Sequence, residues 1–124
     1  MLRILIVAVL AASSSVASAQ AVNVTLSEWK IGLERDTVRA GSVTFKVKNA
    51  GTMTHGFYVR GAGVAKGSHE IPAGQDTPFT VLLKPGTYEL YCPMSDLTHK
   101  MAGMSRTLVV IADDKPAAPK KPGA

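Results

Sequence analysis

Apolar and polar residues alternate with a period of two along much of this chain. Val22, Val24 and Leu26 alternate with polar residues, and the same pattern runs from Val43 to Val47. A period of two is typical of strands that bury one face and expose the other. Other strand candidates are residues 57–60, 79–83, 87–92 and 105–111, with turn signals at 40–41 and 84–86. With no convincing amphipathic helix, about seven to eight strands predict an all-β protein, a Greek-key β-sandwich.

The two ends of the chain differ in composition from its middle. Residues 1–19 have the charged start, the apolar run and the small-residue end, Ala17-Ser18-Ala19, of a secretory signal peptide. We therefore expect a mature periplasmic protein that begins at Gln20. The apolar run is too short to cross a bilayer, so we expect no membrane span. Residues 113–124 hold three prolines and three lysines without a large apolar side chain, which predicts a disordered tail after a domain at 20–112.

Charge and glycine content add two further expectations. The formal net charge is +5, but lysines and arginines do not cluster with interleaved aromatic residues, so nucleic acid is a poor candidate partner. A basic surface suits an acidic protein partner better. The stretch from Gly61 to Asp76 holds four glycines and one proline, which predicts a long loop with at most one helical turn.

The chain has a single cysteine, Cys92, so a disulfide within the chain is impossible. In an oxidising compartment such a cysteine pairs with another chain, lies buried and inert, reacts, or binds a metal. On the strand 87–92, Cys92 shares a face with Tyr88 and Leu90, whereas Thr87, Glu89 and Tyr91 share the other. We therefore predict that Cys92 points inward at the end of its strand.

Two loops carry residues that could join Cys92 at one pole of the sandwich. The loop from Pro93 to Gly103 carries His99 and leads to Met104, and the loop from Ala50 to Gly56 carries His55. Loops of a sandwich gather at its two ends, so both can converge. Cysteine, two histidines and methionine together suit copper in both of its oxidation states. Zinc would require a fourth strong ligand, and the sequence offers no obvious one.

Two segments resemble a type 1 (blue) copper protein, a cupredoxin of the plastocyanin and pseudoazurin kind. They are AGSVTFKVKNAGTMTHGFYV at 40–59 and PGTYELYCPMSDLTHKMAGMSRTLVV at 85–110. The resemblance implies a Greek-key β-sandwich that binds one type 1 copper ion and transfers single electrons. It also implies four copper ligands: His55, Cys92, His99 and Met104.

The sequence departs from this family in two places. Six residues separate Cys92 from His99, where plastocyanin and pseudoazurin have two, although the type 1 domain of copper nitrite reductases also has a longer loop. Gly56 stands where azurin and plastocyanin carry an asparagine that ties the two ligand loops together, which leaves the hydrogen bonding of the sulfur open.

Other residues of interest have simpler interpretations. Met53, Met94 and Met101 compete with Met104 for the axial position, and Met94 is the most serious of them. His69 is expected to be solvated with no ligand role. Trp29 and Tyr91 are expected to be packing residues.

The sequence favours an electron carrier over an enzyme. It has no nucleophile elbow or phosphate loop, and an inward Cys92 is a poor thiol nucleophile even beside His99. We expect a monomer that docks weakly with redox proteins near His99, through an apolar patch of Pro93, Met94, Leu97, Met101 and Ala102 rimmed by Lys100. One alternative is a copper-trafficking or storage module that binds Cu(I) through Met53, Met94, Met101 and His99. A second alternative is a metal-free docking module.

Overall fold

The structure is a computed structural model, and it describes residues 20–113. The predicted signal peptide and residues 114–124 of the predicted tail lie outside the described residues. Within the described part there are nine strands and one short helix. They are β1 (Gln20–Ser27), β2 (Lys30–Leu33), β3 (Thr37–Arg39), β4 (Gly41–Asn49), β5 (His55–Gly61), β6 (Val64–Ile71), β7 (Asp76–Leu83), β8 (Gly86–Tyr91), α1 (Thr98–Met101) and β9 (Ser105–Ile111).

The strands form two sheets that enclose the core between them. One sheet has the order β2-β1-β4-β7 and the other has the order β3-β9-β8-β5-β6. The pairs β1–β4 and β3–β9 are parallel, and the remaining pairs are antiparallel. Fully buried side chains come from both sheets, among them Phe45, Phe57, Tyr88 and Leu108. The predicted all-β sandwich is confirmed.

The alternation predicted for the longer strands matches their burial. Val22, Val24 and Leu26 of β1 are buried, and so are Val43, Phe45 and Val47 of β4. In β8 the predicted inward residues Tyr88 and Leu90 are buried. Tyr91 is buried too, because the side chains of Arg60 and Lys100 cover its ring. It is the packing residue that the sequence predicts.

The long loop predicted from Gly61 to Asp76 is wrong, because β6 occupies half of it. Strand β6 lies at the edge of its sheet. Its residues do not alternate between buried and exposed, so the sequence pattern does not indicate a strand there. Backbone pairing with β5 holds it in place. Gly67 permits that approach, since a Cβ atom there would clash with the carbonyl oxygen of Phe57. The short strands β2 and β3 were also not predicted, which raises the count to nine.

Three connections meet at one pole of the sandwich: the turn between β1 and β2, the loop between β4 and β5, and the segment between β8 and β9. Strands β8 and β9 pair antiparallel, with Tyr91 opposite Ser105. The segment between them was expected to be a loop, but it contains α1. Within residues 20–113, no helix has the length and apolar character to cross a membrane.

Candidate metal centre

Cys92 lies immediately after β8, with its side chain fully buried as predicted. Its backbone N–H donates to the carbonyl of Met104, 3.2 Å away, which extends the β8–β9 pairing by one step. The backbone N–H of Gly56 donates to Sγ of Cys92 at 3.2 Å. A hydrogen bond from an amide stabilises the negative charge of a thiolate, the form of cysteine that binds metals.

Two imidazoles face this sulfur. His55 begins β5 and His99 lies on α1, and both are buried. The two Nδ1 atoms are 3.3 Å apart, and Nδ1 of His99 lies 3.7 Å from Sγ of Cys92. One donor atom from each of the three residues lies within 4.8 Å of the others. The structure therefore brings together three of the four residues that the resemblance implies.

Met104 is the fourth residue, and its backbone forms hydrogen bonds with His99 and Cys92. Its N–H donates to the carbonyl of His99 at 3.1 Å, its carbonyl accepts from Cys92, and its side chain is fully buried. The three rival methionines differ from it in burial. Met53 is 42% exposed and Met101 is 85% exposed, whereas Met94 is partly buried against the core.

Gly56 has no room for the asparagine that azurin and plastocyanin carry there. A Cβ atom at this position would lie 2.7 Å from the carbonyl oxygen of His69 and 2.9 Å from Cδ of Pro93. The register between β5 and β6 shifts at this point, which presses the β6 backbone against Gly56. Any side chain here would displace the N–H that donates to Sγ of Cys92.

Asn49 and Glu28 hold the loop that precedes His55. The buried amide of Asn49 donates to the carbonyls of Met53 and Ile71, at 2.8 and 2.7 Å, and accepts from the N–H of Gly51. Oε1 of Glu28 accepts from the backbone N–H groups of Thr52 and Met53, at 2.7 and 3.0 Å. Side chains from the ends of β4 and β1 thus fix the loop from both sides.

The same Glu28 oxygen lies 3.3 Å from Nε2 of His55, on the far side of the ring from the other donors. It therefore supports the imidazole from behind and is not one of the three converging donors. Hydrogen bonds lower the pKa of Glu28 to about 2 from its ordinary value of 4.5, and desolvation opposes them. The bond from the Thr52 N–H has the largest effect, followed by those from the backbone of Glu28, the Met53 N–H and His55. The carboxylate is thus charged at neutral pH.

Trp29 lies against the other imidazole. It was expected to be a packing residue, and it is 43% exposed. Its backbone has a positive φ of 64°, and this turn directs the indole over the pole. The indole meets the ring of His99 at 90° with centroids 5.0 Å apart. The pKa of His99 is lowered, chiefly by burial and then by charge on His55, while Glu28 opposes the change.

Glu28, Trp29 and Asn49 were missed as site residues by the sequence analysis. The sequence does indicate Glu28 and Trp29, because they lie between the alternating stretch that ends at Leu26 and the apolar residue Ile31. If the residues between these two stretches form a hairpin turn, Glu28 and Trp29 lie at a pole of the sandwich. His69 behaves as expected: it is exposed, bonds Tyr58, and lies outside the group of three donors.

The three donors fit copper. One thiolate and two imidazole nitrogens form the trigonal set that type 1 copper sites use, with a methionine as the weak fourth ligand. All three residues are buried, and no carboxylate joins the group among the described residues. The fold and this donor set together imply copper binding.

Comparison with known proteins agrees with this fold. A family model described as a cupredoxin-like domain matches residues 1–110. No curated protein sequence matches the chain. Among solved structures, dithionite-reduced auracyanin from the photosynthetic bacterium Roseiflexus castenholzii is similar at a TM-score of 0.63 with 17% identity, over 74% of this chain and 97% of that one.

Two larger proteins contain a similar fold. A copper-containing nitrite reductase from Thermus scotoductus matches at a TM-score of 0.55 with 17% identity, over 78% of this chain and 28% of that one. A multi-copper oxidase from Pediococcus acidilactici matches at 0.57 with 15% identity, over 78% and 27% of the two chains. At these identities the likeness shows the fold alone.

Proposed function

This chain belongs to the cupredoxin-like family, and from that premise we propose that it is an exported type 1 copper protein that carries single electrons between redox partners. The ligands in this proposal are His55, Cys92, His99 and Met104. One observation carries it: a buried sulfur and two buried imidazole nitrogens lie within 4.8 Å of one another. Copper held there would supply a one-electron couple between Cu(I) and Cu(II).

The residues around the donors suit that role because they hold the donors in place. Cys92 is fixed by the amide of Gly56, and His55 is fixed at the first position of a paired strand. Donors that cannot rearrange keep similar positions in both oxidation states, so little must move when an electron passes. Burial also keeps water from the sulfur and leaves no open position for a substrate, which supports a carrier over an enzyme.

His99 is the proposed point of electron exit. It is the donor nearest to solvent of the three, at 4% exposure, and exposed apolar side chains surround its pole. They are Trp29, Met53, Leu97 and Met101. Lys100, expected at the rim, bonds Glu89 at 2.8 Å. A surface of this kind suits brief docking with an interface below about 1,200 Å². The net positive charge favours an acidic redox protein as the partner, with the carrier acting as a periplasmic monomer.

Colour tests the proposal directly. Copper-loaded protein should show an intense visible thiolate-to-copper band that a reductant bleaches and an oxidant restores. Cys92→Ser should abolish the band, because a hydroxyl oxygen cannot replace the thiolate. His69→Gln is the matched control, since His69 is an exposed histidine outside the donor group, and it should leave the spectrum unchanged. A copper-loaded wild type that stays colourless after oxidation would overturn the proposal.

A copper-trafficking module is the second candidate, and the exposure of Met53 and Met101 favours it. Flexible exposed methionines can receive or release soft Cu(I). The two functions differ in what happens to the ion. A carrier shows a fast reversible couple and keeps its copper beside a Cu(I) chelator, whereas a trafficking module loses the ion to the chelator. In the latter case, replacing both methionines with leucine should slow that loss.

A further inference from the structure

The carboxylate of Glu28 joins three parts of the molecule at one oxygen atom. Glu28 follows directly after β1, and its Oε1 accepts from the N–H groups of Thr52 and Met53 in the loop before β5. The same Oε1 contacts Nε2 of His55 at 3.3 Å. Gly51 makes space for it, because a Cβ atom there would lie 2.5 Å from that oxygen.

A carboxylate fixes which nitrogen of His55 carries the proton. An ionised carboxylate only accepts hydrogen bonds, so Nε2 of His55 must be the donor in this contact. In the neutral ring, Nδ1 then holds the free lone pair. Nδ1 is also the nitrogen that faces His99, 3.3 Å from its Nδ1. The opposite tautomer would place the Nε2 lone pair against a negative oxygen.

We propose that Glu28 is the positioning residue for His55, which fixes its tautomer and ring orientation and makes Nδ1 a stronger donor toward copper. The inference rests on the proposed copper function, but its first test needs no metal. Glu28 also supplies a restraint of a kind that Gly56 cannot. Gly56 has no side chain to tie the ligand loops together, and Glu28 ties the loop before His55 to β1 instead.

The first test uses the metal-free protein. Long-range proton–nitrogen NMR at mildly alkaline pH should show the neutral ring of His55 protonated at Nε2 in the wild type. Glu28→Ala should give a mixture of tautomers, and the amide protons of Thr52 and Met53 should exchange faster. The matched control is Glu70→Ala, which removes an exposed glutamate on β6 and should change neither readout.

The second test uses the copper-loaded protein. Loss of a carboxylate that bonds a ligating histidine typically weakens metal binding 10- to 100-fold, so Glu28→Ala should lower Cu(II) affinity by roughly that factor. Glu28→Gln keeps an acceptor oxygen without the charge. It should restore most of the Nε2 tautomer and still raise the reduction potential, because a less basic imidazole stabilises Cu(II) less. A residue with only a structural role would not separate these two effects.

Each outcome either supports or overturns the inference that Glu28 positions His55. If Glu28→Ala and Glu28→Gln match the Glu70→Ala control in tautomer, amide exchange and affinity, Glu28 does not position His55. Should Glu28→Ala fail to fold, Glu28→Gln supports the inference by a raised potential and overturns it by an unchanged one. If the wild type binds no copper, the proposed function fails, while the metal-free tautomer still reports on Glu28 alone.

Discussion

The two imidazoles that face Cys92 are held in different ways. His55 lies at the first position of β5, in a loop-to-strand junction that Asn49 and Glu28 fix through hydrogen bonds to its backbone and ring. His99 lies on α1, between two strands, and its neighbours in the chain form the turns that hold it. Trp29 is the side chain from elsewhere that covers it.

Distant residues position His55, whereas the local backbone conformation positions His99. On the His55 side, charge and amide groups from β1 and β4 fix the loop. On the His99 side, Ser95, Asp96 and Leu97 have positive φ angles of 53°, 50° and 69°, a conformation that L-residues adopt at a cost. The His55 side is therefore held by hydrogen bonds from distant side chains, and the His99 side by local backbone turns that include left-handed residues.

The largest expected effect is on the His55 side. Asn49→Ala removes a buried amide and leaves the carbonyls of Met53 and Ile71 without that donor, so it should destabilise the apoprotein by about 3 kcal/mol. Chemical denaturation measures the loss, and amide exchange should rise at residues 50–54 but not at 95–101. Asn23→Ala, an exposed site on β1, is the control and should change stability by less than about 0.5 kcal/mol. Equal losses of stability in Asn49→Ala and Asn23→Ala would show that the hydrogen bonds of Asn49 do not hold the His55 side.

A smaller effect of opposite sign is expected on the His99 side. Leu97 precedes α1 with a left-handed backbone and makes no side-chain cap. Leu97→Gly should therefore stabilise the apoprotein by about 0.5–1 kcal/mol, because relief of strain exceeds the entropy cost of glycine. Leu82→Gly, at an exposed strand position, should destabilise it. Destabilisation by Leu97→Gly would show that this segment is not strained.

The smallest expected effect is the pH dependence of stability, which differs between the His99 side and the His55 side. Burial lowers the pKa of His99 below 6.5, so the unfolded apoprotein takes up this proton first and stability falls as the pH drops below 6.5. The pKa of Glu28 is lowered to about 2, so its contribution is complete above 4.5 and is lost as the pH falls from there toward 2. Denaturation midpoints across this range should show two steps. His99→Asn should remove the upper step alone. Glu28→Gln should reduce the lower step but not remove it, because the hydrogen bond from Lys100 also lowers the pKa of Glu89 below 4.5. A single step insensitive to both variants would contradict the assignment.

The same contrast explains what could be predicted from the sequence. The order and phase of Cys92, His99 and Met104 are local, so the alternation of β8 and the length of the following segment suffice to place them at one pole. His55 is the weaker inference from the residues alone, because another loop carries it, and the resemblance to a known family strengthens it. The structure brings His55, Cys92 and His99 together, as expected from the convergence of loops.

What the sequence could not predict depends on contacts between distant residues. Glu28 reaches His55 across 27 positions, and the β1–β4 pairing that makes this possible is parallel, which no local pattern indicates. Strand β6 was missed because its residues are mostly exposed and pairing with β5 alone defines it. The backbone of β6 lies too close to Gly56 for a side chain, which explains a glycine where azurin and plastocyanin carry an asparagine.

The parallel pairing of β1 with β4 has a consequence for how the centre matures. Leu26 lies opposite Asn49, so Glu28 reaches the loop before His55 only when the first described strand has docked along its whole length. A folding intermediate that has formed the β8–β9 hairpin but not yet recruited β1 would hold Cys92 and His99 without the support behind His55. Metal uptake during refolding would thus report on the arrival of the amino-terminal strand.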